Sequence, residues 1–175
     1  MIDILILFCI IKKELTMYGI KKVIQDLFAP YTRPSFGALK PALTKLEKEG
    51  CIVSRRTISD GGKQFGYYSI TNEGLKYLKQ LLTDDITDNP INFSATASIK
   101  LCCASILNEE DRVILYHNLK NKALEHKFEA ENILNDEYIS LDFHQKIVLN
   151  QTTCEYQNIV NMIEDLEKNN GSNSK

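Results

Sequence analysis

One turn signal, Ser59-Asp60-Gly61-Gly62, most narrows what this chain can become. On either side of it lie Cys51 to Ile58 and Phe65 to Ile70, two short runs rich in β-branched and aromatic residues. Such runs joined by an Asp/Gly turn form a β-hairpin. The chain before it reads as helix. A first helix is expected over about residues 2–13 and a second over about 17–28, followed by the turn-rich Ala29-Pro30-Tyr31-Thr32-Arg33-Pro34. Ser35 is placed to cap a third helix, with Phe36, Leu39, Leu43 and Leu46 three and four apart on its inner face. Gly50 supplies the left-handed end. Beyond the hairpin, Thr71 caps a further helix whose first turn holds Glu73, where the helix dipole favours an acid. Helix, helix, helix, hairpin, helix is the layout of a winged helix-turn-helix.

The texture changes after Leu82. Residues 83–92 read as a linker. Residues 93–168 follow as a helical module of three segments, about 93–107, 109–135 and 139–168. Asn108 caps the second, and Ile159, Met162, Ile163 and Leu166 recur at helical spacing in the third. The tail, 169–175, is Asn-, Ser- and Gly-rich and is expected to be disordered. The fold class is therefore α+β and mostly α: a winged helix-turn-helix over 1–82 and an all-helical dimerisation domain. Three long amphipathic helices do not bury all their apolar faces on one another, so a homodimer is expected.

A net charge of −2 hides an asymmetry. Up to Leu82 there are 13 Lys and Arg against 7 Asp and Glu, a net of +6; the remainder has 8 against 16, a net of −8. A basic part beside an acidic part fits a chain of which only the first faces a polyanion. The apolar run Ile4 to Ile11 is far shorter than the ~20 residues that span a bilayer, and Asp3 stands where a secretion signal would carry positive charge. The expectation is a cytoplasmic protein with no membrane partner. Its five cysteines are then reduced thiols without a CxxC pair for zinc, most of them small core residues.

With its apolar residues inward, the third helix turns Pro41, Thr44, Lys45 and Lys48 outward, with Lys40 at the margin. A helix of this kind fits the major groove of double-stranded DNA. Ser35, Lys40, Thr44, Lys45 and Lys48 are the candidate contacts there. Arg55, Arg56 and Lys63, around the hairpin turn, are the candidate phosphate contacts. Pro41 breaks a local rule, since proline inside a helix costs about 3 kcal/mol, and such breaks tend to mark functional or special packing sites. Tyr67 and Tyr68, adjacent on a strand, are expected to point to opposite faces.

The run from Ser35 to Gly50, with its Pro-Ala-Leu, Leu-Glu and terminal Gly, resembles the recognition helix of the PadR-like regulators. Tyr67-Tyr68-Ser69-Ile70-Thr71-Asn72-Glu73-Gly74 is similar to that family's second wing strand and its entry into the next helix. Thr16-Met17-Tyr18-Gly19-Ile20 resembles its motif opening the second helix. The resemblance covers about residues 2–82 by motif and the remainder by length and helical character. It implies a homodimeric transcription factor, usually a repressor, dimerised by its C-terminal helices and in some members released by a flat aromatic ligand held between subunits. The chain departs from the family at Ala38 and Lys40, where Ser and Tyr are common, at Phe65-Gly66, where basic residues are common, and at Met17, where Gly is usual.

No catalytic arrangement emerges. His117, His126 and His144 have no metal-ligand spacing, and Gly61-Gly62-Lys63 lacks the context of a phosphate loop. Cys102 and Cys103 lie on different helix faces; Glu109-Glu110 and Glu164-Asp165 read as helix-end and surface charge. The expectation is a regulator with no enzymatic activity and no cofactor. The other reading is a winged-helix scaffold that binds protein and not DNA.

Overall fold

The computed structural model of the chain describes residues 1–58, 64–84, 86 and 89–170. These form two compact units. One comprises residues 1–84 with 98–106, and the other residues 85–97 with those from 107 onward. Residues 98–106, within the stretch 93–168 expected as a helical module, group with the first unit.

In the first unit, helix α1 (Ile2–Cys9) is apolar but for Asp3 and correspondingly buried, with Ile4, Leu5, Ile6, Leu7 and Cys9 in the core. It stops four residues short of the expected end. Lys12, Lys13 and Glu14 are exposed, and Leu15–Thr16 then forms a two-residue strand, β1. Helix α2 (Met17–Phe28) buries Ile20, Ile24 and Phe28, one residue per turn. Helix α3 (Phe36–Lys48) buries Leu39, Ala42, Leu43 and Leu46. Phe36 was expected inward, but it is 38% exposed and Ala42 takes the inward place. At the first helical position a side chain flanks the apolar stripe and does not continue it.

Strands β2 (Ile52–Ile58) and β3 (Gln64–Ile70) pair antiparallel from Ile52 opposite Ile70 to Ile58 opposite Gln64. Strand β1 adds to the other edge of β3, Leu15 opposite Tyr68, giving the order β1-β3-β2. The residues between the hairpin strands, Ser59-Asp60-Gly61-Gly62-Lys63, lie outside the described residues. Helix α4 (Asn72–Thr83) returns to bury Leu78 and Leu82. Three helix starts share one device: Thr16, Ser35 and Thr71 each accept a hydrogen bond from the backbone N–H three residues on, at 3.1, 3.2 and 3.0 Å. Gly50 has φ +73°, the left-handed conformation expected of it after α3. Helix α5 (Pro90–Cys103) begins inside the stretch read as linker, with proline at the first helical position, where its missing N–H costs nothing. Its end, with a short 3-10 turn at Ala104–Ile106, buries Ile99, Cys103 and Ala104 in the first unit, and the buried Lys100 donates to the Asp84 carbonyl at 2.7 Å.

The second unit is built on an antiparallel pair, α6 (Glu109–Asn135) and α7 (Phe143–Asn170). Lys120 meets Glu164 and Glu167, while Lys127, two turns later, meets Gln157. Asn108 caps α6, as expected, accepting from Asp111 N at 2.7 Å. Helix α7 starts four residues later than expected. Asp142 and Gln145 exchange backbone-to-side-chain hydrogen bonds, both 2.9 Å, in a reciprocal capping box that sets the boundary. The helix runs through Asn170; of the expected tail, residues 171–175 lie outside the described residues. Tyr116, Leu119, Ala123, His126 and Ala130 form the inner stripe of α6, against Tyr156, Ile159, Val160 and Ile163. His126 is packed between the rings of Phe93 and Tyr156, centroids 5.2 and 5.4 Å away, with Nδ1 3.3 Å from Glu129 Oε2. His117 and His144 are exposed.

Candidate nucleic-acid interface

The outward face of α3 is polar, basic and accessible. Lys40, Pro41, Thr44, Lys45 and Lys48 are all exposed and line one shallow depression together with Glu49. They do not present themselves alike. Among the described residues, Lys40 and Lys48 form no ion pair. Lys45 is committed: its ammonium lies 2.8 Å from Asp3 Oδ2 and 4.0 Å from Glu49 Oε2. The hydrogen bond and charge of Asp3 hold its pKa above the ordinary lysine value. The Thr44 hydroxyl donates to the Lys40 carbonyl at 3.1 Å, which leaves its methyl and its oxygen lone pairs for an incoming group. Ser35 Oγ is occupied as an acceptor by the Ala38 N–H, with its own proton still to donate.

On the wing, Arg55 and Arg56 part company. Arg55 donates through Nε to Glu14 Oε2 at 3.1 Å and through Nη2 to Glu14 Oε1, and its guanidinium lies 5.1 Å from the centre of the Tyr67 ring. The hydrogen bond from Arg55 draws the Glu14 carboxyl below its usual pKa, and Glu14 raises that of Arg55. Arg56 is exposed and forms no ion pair among the described residues. Lys63 lies outside them. Tyr67 and Tyr68 alternate as strand residues do. Tyr67 shares the face of its cross-strand partner Arg55, whereas Tyr68 lies over Gly66, and burial, with Glu47 close by, raises its phenol pKa.

Two features were not anticipated. The acids Asp3 and Glu14 hold two of the candidate cations from about forty residues away, a distance over which no sequence pattern signals a pair. The second is an exposed aromatic group at the start of α3. Tyr18, 71% exposed, stacks on Phe36 with centroids 6.5 Å apart and planes at 22°, and Lys21 Nζ lies 4.1 Å from the Phe36 centroid. Beyond them, Phe65 is likewise exposed on the same shallow groove.

Three cysteines of the first unit are buried thiols: burial pushes Cys9 and Cys103 up to about 12 and raises Cys51 as well, while Cys102 is exposed. Among the described residues no three His, Cys, Asp or Glu side chains are grouped to hold a metal ion, and no helix is long and apolar enough to cross a membrane.

Three helices around an apolar core, closed by a three-stranded sheet and leaving the third helix exposed and basic, define a winged helix-turn-helix domain. The chain belongs to the PadR-like family of transcriptional regulators, whose model matches residues 6–80. A PadR family transcription regulator from hypervirulent Clostridium difficile is 34% identical over 45% of this chain and 79% of its own, with a TM-score of 0.36. Bacillus subtilis PadR in complex with operator DNA is 20% identical over 94% of both chains, TM-score 0.47. The same protein in complex with p-coumaric acid is 19% identical over 94% of this chain and 95% of its own, TM-score 0.40. No curated protein matches the chain.

Proposed function

We propose that this regulator is a homodimeric, non-enzymatic repressor that binds a two-half-site operator through α3 and the wing. A flat aromatic ligand held between subunits, a mode known in the family, is the proposed releasing signal. The observation that carries the reading is the exposed face of α3, where Lys40 and Lys48 form no ion pair among the described residues and stand on either side of Pro41 and Thr44, while the opposite face is closed by Leu39, Leu43 and Leu46. Lys40, Thr44 and Lys45 act in the groove, Lys48 and the Ser35 hydroxyl at its edges, and Arg55, Arg56 and Lys63 on phosphates. Binding to duplex DNA in rising salt tests it. A phosphate-contacting protein loses affinity linearly in log–log terms, with a slope of about −0.9 per phosphate neutralised. A chain with no such affinity at low salt would be a protein-binding scaffold.

Gly37 gives an independent check. It stands in the first turn of α3, where glycine is a poor helix residue, and a Cβ there would meet only Ser35 Oγ, at an ordinary 3.5 Å. The fold thus has no need of glycine at this position; close approach of DNA would supply one. Gly37→Ala is expected to stabilise the domain by about 0.5–1 kcal/mol and yet to weaken DNA binding. A melting temperature and an affinity that rise together would place the DNA elsewhere.

The acids Asp3 and Glu14 restrain this interface. Asp3→Asn and Glu14→Gln each free a cation and remove a carboxylate beside a polyanion. Each is expected to tighten binding to random-sequence duplex at low salt, by up to about fivefold, the range of exposed ion pairs. Affinity unchanged in both variants would exclude Lys45 and Arg55 from the DNA face.

A further inference from the structure

We propose that Phe36 reads the 5-methyl group of a thymine, adding a sequence preference that the lysines of α3 do not supply; this rests on the DNA-binding reading above. Phe36 is the first residue of α3 after its Ser35 cap. In a recognition helix the N-terminal residues are the ones that meet base edges. The ring is a large apolar group left 38% exposed at the head of the helix that carries Lys40, Thr44 and Lys48 on its outward face. It is also held in place. Tyr18 stacks against it at 6.5 Å, and the Lys21 ammonium lies 4.1 Å from its centroid. A ring restrained in this way presents an edge and loses little rotamer freedom on contact. Its neighbour Gly37 has no side chain, and apart from its chain neighbours and its own helix backbone a Cβ there would meet only Ser35 Oγ, so no other element crowds the position next to Phe36. In the major groove the thymine methyl is the apolar feature that an aromatic edge can meet. The Lys21 ammonium beside the ring is then placed for the adjoining phosphate.

The test varies the methyl and the ring together. The preferred duplex of the wild-type protein is recovered by selection from random-sequence DNA, and deoxyuridine then replaces each thymidine in turn. At one thymine in each half-site, loss of the methyl is expected to weaken wild-type binding roughly fourfold, the equivalent of one buried methylene. Phe36→Ala is expected to be indifferent to that replacement, and Phe36→Leu to keep part of the sensitivity. Should Phe36→Ala fail to fold, the wild-type and Phe36→Leu arms decide. Wild type indifferent to deoxyuridine at every position, or variants as sensitive as wild type, would overturn the assignment of Phe36 while leaving DNA binding intact. A wild-type protein that binds no duplex even at low salt would overturn the underlying reading, and this inference with it.

Discussion

Replacing Gly74 with Ala is expected to destabilise the winged-helix domain by about 3 kcal/mol, from overpacking against backbone together with loss of a helix cap. Gly74 stands in the first turn of α4, and a Cβ placed on it would lie 1.9 Å from the Cys51 carbonyl oxygen and 2.8 Å from its carbon. Neither atom is free to move, because that carbonyl accepts from Thr71 N at 3.1 Å, while the Thr71 hydroxyl, 2.7 Å from the Gly50 carbonyl and 3.0 Å from that of Cys51, shares its proton between them. The same hydroxyl accepts from Gly74 N at 3.0 Å to cap α4. Making room would push α4 off the start of β2, breaking the cap and loosening Leu78 and Leu82. The better helix propensity of alanine, about 1 kcal/mol, returns only part of this. Denaturant unfolding of the variant measures the loss, and a midpoint within error of wild type would mean that the backbones do not approach as drawn. The contrast with Gly37 is instructive. Both glycines occupy the first turn of a helix behind a hydroxyl cap, yet the same substitution carries opposite expected signs, because one Cβ would meet a fixed carbonyl at 1.9 Å and the other only Ser35 Oγ at an ordinary 3.5 Å.

Much of the first unit was legible because its signals are local. The capping hydroxyls of Ser35 and Thr71, the three-and-four spacing of Leu39, Leu43 and Leu46, and the left-handed Gly50 each act within a few residues of themselves, and each appears where expected. Boundaries set by tertiary contacts were not legible. Ile10 and Ile11 continue the apolar pattern of α1, so nothing local announces that the helix stops at Cys9. β1 is two residues long and exists only because β3 offers it an edge. The start of α7 carries a local signal, Asp142 three residues before Gln145, that the apolar spacing of the segment does not reveal. On the candidate interface, helical rotation alone brought Lys40, Pro41, Thr44, Lys45 and Lys48 to one surface. It could not show that Asp3 holds Lys45, that Glu14 holds Arg55, or that Phe36 turns out to join Tyr18.

If the proposed homodimer forms through α6, Leu124→Glu combined with Phe128→Glu is expected to convert it to monomer and to lower operator affinity by two to four orders of magnitude, the range by which linked sites exceed single ones. Helix α6 is apolar on two sides. Its inner stripe, from Leu115 to Ala130, packs within the second unit, while Val113, Ile114, Leu124 and Phe128 recur on roughly the opposite side and are 42–63% exposed. Helix α7 repeats the pattern: Phe143 and Ile147, 73% and 52% exposed, point away from the line of Tyr156 and Ile163. Apolar groups exposed in this way on two neighbouring helices mark an association surface, and under the homodimer reading a second copy of the same helices covers them. Glutamates at 124 and 128 would place two charges in that seam without touching the inner stripe, so the unit should keep its helical signal and its melting behaviour at low concentration. DNA affinity falls because a monomer holds one half-site and forfeits the tethering of the second. Its binding to random duplex, which one winged helix can supply, should fall far less. Sedimentation at micromolar concentration decides the first half of the expectation and operator titration the second. A double variant that stays dimeric with full operator affinity would move the interface off α6.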